Sequence, residues 1–224
     1  MCYNRPGEMS KIARVCELLD QHYGRPEWGG RKNVLDELIL TILSQNTTTA
    51  NARRAFARLR NRFAAWEDVR LAPTDKIAEA IKFGGLANRK APRIKKILEE
   101  IHTRQGTLDL EWLAEKPDSE AIDYLTAFEG VGRKTAACTL MFALGRPVLP
   151  VDTHVHRVAE RLGLIPKVDT DTAHDLLQAM LPPERVYSFH INMIRHGREI
   201  CHARSPKCAI CPLKNECDYY ARLS

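Results

Sequence analysis

One spacing recurs along this 224-residue chain: apolar side chains at i, i+3, i+4 and i+7. It holds for Ile12, Val15, Cys16 and Leu19, for Leu35, Leu38, Ile39 and Ile42, and for Ala52, Ala55, Phe56 and Leu59. It returns in Ile94, Ile97, Leu98 and Ile101, in Ala137, Leu140, Met141 and Leu144, and in Val155, Val158, Ala159 and Leu162. A helix turns once in about 3.6 residues, so each group falls on one helical face. Alternating runs joined by hairpin turns, which mark strands, are essentially missing. The expected fold class is all-α. Glycine and proline at 24–30, 84–85, 106, 117, 145–150, 163–166 and 182–183 divide the helices into short pieces.

Composition sets broad limits. A 44% apolar and 28% charged chain is ordinary for a globular protein. No apolar stretch approaches the roughly 20 residues of a membrane span. Met1, Cys2 and Tyr3 lead into Asn4, Arg5 and Pro6 without a signal-peptide core, so a cytoplasmic location is expected. A net charge of +6 suits a polyanionic partner without requiring one. Of seven cysteines, Cys2, Cys16 and Cys138 are scattered, with Cys16 and Cys138 on helical core positions. Cys201, Cys208, Cys211 and Cys217 crowd the C-terminal end. An odd count without a secretory signal argues against a disulfide framework.

Two segments carry candidate chemistry. In the first, an amphipathic stretch ending at Phe128-Glu129 runs into Gly130-Val131-Gly132, and a helix starts at once with Arg133-Lys134-Thr135. Glycines on either side of one apolar residue permit a tight hairpin with outward N–H groups. The start of the next helix adds free N–H groups and the positive end of its dipole. With Arg133 and Lys134 behind it, this reads as a sequence-independent phosphate clamp, against the plainer reading of a helix–helix turn. The dipole of a first helical turn disfavours an ammonium, so Lys134 is either a Schiff-base nucleophile or a phosphate contact. In the second segment, Val151-Asp152-Thr153-His154, Asp152 stands at the N-cap position of a helix. Helix N–H groups there hold a carboxylate ionised, and an anion beside a nucleophilic lysine is what departure of a base from C1′ requires. His154 and His156 fit structural roles.

The four C-terminal cysteines are spaced Cys201-x6-Cys208-x2-Cys211-x5-Cys217. Four thiolates so close can hold zinc or an iron–sulfur cluster. Zinc ribbons usually pair two Cys-x-x-Cys knuckles, and only one occurs here.

Gly130-Val131-Gly132-Arg133-Lys134-Thr135-Ala136 with Val151-Asp152-Thr153-His154 resembles the endonuclease III family of helix-hairpin-helix DNA glycosylases. The 6-2-5 cysteine spacing is similar to that family's [4Fe–4S] loop, and the likeness runs from about Leu35 to Cys217. The resemblance implies that Lys134 attacks C1′ of a damaged nucleotide, that Asp152 assists, and that β-elimination then nicks the strand. It implies double-stranded DNA bearing oxidised or ring-saturated pyrimidines, or abasic sites, as substrate, and no membrane partner. Arg204 and Lys207 in the cysteine loop would meet phosphate. A base inside a duplex is unreachable, so a flipped nucleotide leaves a gap to be plugged. By analogy Gln45 or Asn46, with Leu86, would fill it. The basic residues Arg89, Lys90, Arg93, Lys95 and Lys96 read as a solvated face.

Two helical lobes are expected, and a monomer. A helical barrel over 33–146 would carry the hairpin and Lys134; 1–32 plus 147–224 would form the cluster lobe, with DNA across the cleft. A non-catalytic or monofunctional helix-hairpin-helix DNA-binding protein is the alternative. Two departures from the family stand out: Glu129 replaces a frequent proline, and the plug loop reads Gln45-Asn46-Thr47-Thr48-Thr49.

Overall fold

The computed structural model describes residues 9–223; Cys2 and the N-terminal segment read above as lacking a signal core lie outside them. The helices are α1 (Lys11–Tyr23), α2 (Val34–Ser44), α3 (Thr49–Arg62), α4 (Trp66–Leu71), α5 (Thr74–Ile81), α6 (Ala87–Gln105), α7 (Asp118–Thr126), α8 (Arg133–Leu144), α9 (Thr153–Leu162), α10 (Thr170–Met180), α11 (Val186–Glu199) and α12 (Asp218–Ala221). No strand occurs among the described residues. None of these helices is long and apolar enough to cross a membrane.

The chain divides into two compact units, Gly30–Arg146 on one side and Met1–Gly29 with Pro147–Ser224 on the other. In the central unit α8 packs on α2, α2 on α3, and α5 on α6. Its core is aliphatic: Leu35, Leu38, Ile39, Ile42, Ile94, Leu98 and Ile101 are each almost wholly buried. These are residues of the recurring helical spacing, so the pattern and the packing agree. Helix α8 is buried over most of its surface from Thr135 to Met141. Burying that much apolar area is the main favourable term in such a fold.

In the second unit α11 packs on α9 and α1 on α11, while α12 closes against α9. Local capping starts these helices where they start. Asn33 Oδ1 accepts from Asp36 N at 2.9 Å ahead of α2, and Asp169 Oδ1 accepts from Thr172 N at 2.9 Å ahead of α10. Cys16 and Cys138 are buried among apolar neighbours, as core residues.

The central unit ends on a polar lock. The Arg146 guanidinium donates to Asp118 Oδ1 at 2.8 Å and to the carbonyls of Leu113 and Ala114 at 2.9 and 2.7 Å. Arg146→Met removes these charge-assisted bonds. It is expected to lower stability by about 2–4 kcal/mol, read as a shift in the urea midpoint at unchanged slope.

Candidate nucleic-acid interface and cluster site

The hairpin follows from three neighbouring residues with opposite fates. Phe128 and Val131 are buried, whereas Gly130 between them is exposed with φ +80°. That backbone angle excludes most side chains. A Cβ on Gly130 would also run into the Arg93 side chain, which would have to give up its place beside the hairpin. The Val131 side chain belongs to the core, so any contact it could make from the hairpin would be through its backbone. Gly132 caps α8, and the N–H groups of Thr135 and Ala136 return to its carbonyl at 2.9 and 3.0 Å. The first N–H groups of α8 are left without helical partners, as at any helix start. Arg133 and Lys134 are half-buried in this first turn.

Gln45 and Arg93 brace the hairpin from inside. Arg93 donates to Oε1 of Gln45 at 3.0 Å, and Gln45 Nε2 reaches Oγ1 of Thr135 at 3.3 Å and the Gly130 carbonyl at 3.5 Å. Gln45 is thus committed within the unit. Its neighbour Asn46 is exposed, with φ +54°. Leu86, also exposed, has φ +51°. An apolar residue with positive φ and an outward side chain is held there by its surroundings.

The holding group is Lys90. It is only 2% exposed, and its ammonium donates to the carbonyls of Leu43 at 2.6 Å and Gly84 at 2.9 Å. Those carbonyls sit just before the turns that present Asn46 and Leu86. Burial pushes the Lys90 ammonium below the usual lysine range. The expected solvated basic face is therefore corrected: Lys90 points inward, and Lys95 donates to the carbonyls of Arg70 and Ala72, both at 2.8 Å. Sequence spacing could not show this, since the receiving carbonyls come from distant turns. Lys96 pairs with Glu129. That bond holds the Glu129 carboxyl below its usual range, so the charge replacing the family's proline is matched by α6.

In the second unit Asp152 caps α9, Oδ1 accepting from the N–H groups of His154 and Val155, both at 2.8 Å. His156 Nε2 lies 2.9 Å from the Val168 carbonyl, a structural contact. Cys201, Cys208, Cys211 and Cys217 line one cavity together with Val158, Leu162 and Ile200. Among the described residues no three His, Cys, Asp or Glu side chains converge on a single-ion site. Four thiolates around one cavity are a donor set that an iron–sulfur cluster takes, each at its own iron. The four thiols fit the cluster. Burial, helped by the neighbouring thiols, pushes Cys211 up to about 11, and burial raises Cys217 as well.

Two arginines missed in the sequence reading hold this loop. Arg161 donates to Sγ of Cys201 at 3.3 Å and to the carbonyls of His202 and Ala203 at 2.7 and 2.9 Å. Arg157 donates to the Cys201 and Gly197 carbonyls, each at 2.9 Å. Their i, i+4 spacing on α9 was the available signal. His196, buried, stays neutral, pushed down to about 4 mainly by desolvation. Its Nε2 lies 3.6 Å from Cys211 Sγ. Arg204 and Lys207 are exposed, and Lys207 also lines the cysteine cavity.

Comparison with known proteins fits this arrangement. Residues 39–183 match the HhH-GPD superfamily of base excision DNA repair proteins, and residues 201–217 match the iron–sulfur binding domain of endonuclease III. Endonuclease III of Thermotoga maritima is 33% identical over 83% of this chain and 83% of its own length. A solved endonuclease III–DNA complex superimposes with a TM-score of 0.80 at 28% identity, covering 96% of this chain and 99% of that one. A DNA glycosylase/AP lyase of Arabidopsis thaliana, ROS1, is 32% identical over 70% of this chain, which spans only 12% of that protein's length. Several other curated plant relatives are also much longer than this chain, which spans 62% of one and 9% of another. The chain belongs to the endonuclease III family of HhH-GPD base excision DNA glycosylases, and its cysteine loop is that family's iron–sulfur cluster site.

Two outcomes test the bracing. Lys90→Met should lower stability by about 2–4 kcal/mol, since two buried carbonyls lose a charged donor, read by urea unfolding. Arg161→Met should hasten loss of the visible iron–sulfur absorbance under a chelator, by roughly 10–100-fold, the usual range for removing a ligand's supporting hydrogen bond.

Proposed function

We propose that this chain is a bifunctional glycosylase and abasic-site lyase acting on damaged pyrimidines in duplex DNA. The observation that carries the reading is the placement of Lys134. It stands in the first turn of α8, directly behind a hairpin whose exposed glycines suit a phosphate backbone. A backbone held there brings a sugar to the lysine. Asp152 supplies the second group, its carboxyl held in place at the start of α9 by two N–H groups that donate to Oδ1.

The chemistry assigns each residue a task. The Lys134 amine attacks C1′ as the C1′–N bond breaks, and the base departs with its electron pair and takes up a proton. Asp152 stabilises the positive charge that grows on the sugar and receives protons in later steps. The C1′–O4′ bond then opens, O4′ taking up a proton released from the attacking amine, and the resulting protonated Schiff base acidifies the C2′ hydrogen. Its loss expels the 3′ phosphate by β-elimination, and water then releases the lysine. A solved endonuclease III–DNA covalent intermediate, 29% identical with a TM-score of 0.79 and covering 96% of this chain, supports this chemistry. The relative ROS1, named a glycosylase/AP lyase, supports the lyase step. Asn46 and Leu86 fill the gap left by the flipped nucleotide, while Gln45 braces the hairpin. Arg204 and Lys207 hold the backbone beside the cluster loop, which the four thiolates shape when the cluster is bound.

Borohydride trapping on an abasic-site duplex tests the proposal directly. The wild-type protein should become covalently attached, and Lys134→Gln should not. Trapping that survives Lys134→Gln, or its absence in the wild type, sinks the assignment. Asp152→Asn should slow single-turnover excision by about 10²–10⁴-fold and leave affinity for undamaged duplex within a few-fold. A panel of duplexes with one defined lesion each identifies the preferred base.

A further inference from the structure

Helix α3 reads Thr49-Ala50-Asn51-Ala52-Arg53-Arg54-Ala55-Phe56-Ala57-Arg58-Leu59-Arg60-Asn61-Arg62, with five arginines and no acid. Two are accounted for internally: Arg60 lies over the Trp66 ring at 4.7 Å, and Arg62 pairs with Glu79 at 2.8 Å. Arg54 and Arg58 are exposed and do something else. Their guanidinium carbons lie 4.2 and 4.5 Å from the centre of one ring, that of Phe83, and the Lys82 ammonium lies 5.5 Å from the same centre. Three cations thus gather about one phenyl group. No ion pair engages any of them among the described residues, and Glu79, the carboxylate that feels Lys82, is held by Arg62.

Such a cluster is self-repelling. Arg54 and Arg58 are one helical turn apart, where like charges destabilise a helix. Stacking on an aromatic face partly offsets this. It also leaves donors over: the ring takes no conventional hydrogen bond from the two guanidinium groups beside it, so their N–H donors remain for another acceptor. A planar donor edge matches two oxygens of a phosphate. The cluster's position adds a direction. Phe83 belongs to the turn Lys82–Gly84, three residues before Leu86, and this turn packs on α3 with Ala55 Cβ 3.0 Å from where a Gly84 Cβ would stand. Residue Asn46 lies just ahead of α3.

We propose that Arg54, Arg58 and Lys82, organised around Phe83, form a further DNA-backbone site that takes phosphates flanking the nucleotide gap, apart from the hairpin and the cysteine loop. The inference rests on the DNA-binding reading above. The site supplies affinity without sequence preference, because its donors meet only phosphate.

The test is the salt dependence of binding to an undamaged duplex. Each lost phosphate contact lowers the slope of log affinity against log salt by about 0.9. The Arg54→Gln/Arg58→Gln double variant should lose about 1–2 from that slope and bind roughly tenfold more weakly near physiological salt. Trapping of an abasic-site duplex at saturating protein should persist, because Lys134 is untouched. Arg54→Lys/Arg58→Lys keeps the charges and should restore most of the slope. Lys116→Gln, which removes a cation paired with Glu120 at 3.6 Å, should leave the slope unchanged. A double variant with wild-type slope and affinity overturns the proposal and points to an acidic protein as the partner of this face. An equal loss in Lys116→Gln overturns it as well, since net charge alone would then explain the effect. Either result with trapping intact leaves the glycosylase reading standing; failure of wild-type trapping would strike that reading instead.

Discussion

The functional surface of the central unit depends on one backbone angle. Gly130 has to turn with positive φ so that Phe128 and Val131, on either side, can both enter the core. The bend pushes the main chain outward between two buried side chains, and α8 starts immediately beyond it. Arg93 occupies the space a side chain on Gly130 would need, and Gln45 ties Arg93 to the hairpin carbonyl and to Thr135. Hydrophobic burial therefore sets the shape of a polar surface. The hairpin is stiff because its reverse side is packed, and a packed interior yields little to small displacements.

The same economy recurs where cations turn inward. Lys90 bonds to main-chain carbonyls at the bases of two turns, so one ammonium sets where both Asn46 and Leu86 are presented. In the other unit, Arg157 and Arg161 gather carbonyls of the cysteine loop onto α9, the helix whose first turn is capped by Asp152. Residues that resemble surface charge in a linear reading are fasteners in the fold. Each satisfies main-chain carbonyls, and those of Lys90 are buried, where an unpaired carbonyl is costly.

Much of this was legible in the linear chain. The six apolar groups lie on helices and most of their residues are buried, because amphipathic spacing and core burial are two views of one constraint. Asp152 was readable as a cap because capping is local. The cysteine spacing was readable because a short loop leaves its ligands few ways to converge. The fates of Lys90 and Lys95 were not readable: their acceptors are carbonyls 6 to 47 residues away, and carbonyls leave no mark in a sequence. The inward bonding of Gln45 was hidden for a similar reason, since it turns on a partner in α6. The role of Arg157 and Arg161 became visible only once the cysteine loop was folded against α9.

The left-handed backbone at Leu86 has a consequence for how this chain can change. For an apolar residue that conformation costs about 1–2 kcal/mol, and glycine would adopt it freely. Random substitution toward glycine would make the folded protein sturdier while deleting the side chain that faces outward. Backbone stability and an outward apolar side chain thus pull in opposite directions at this position.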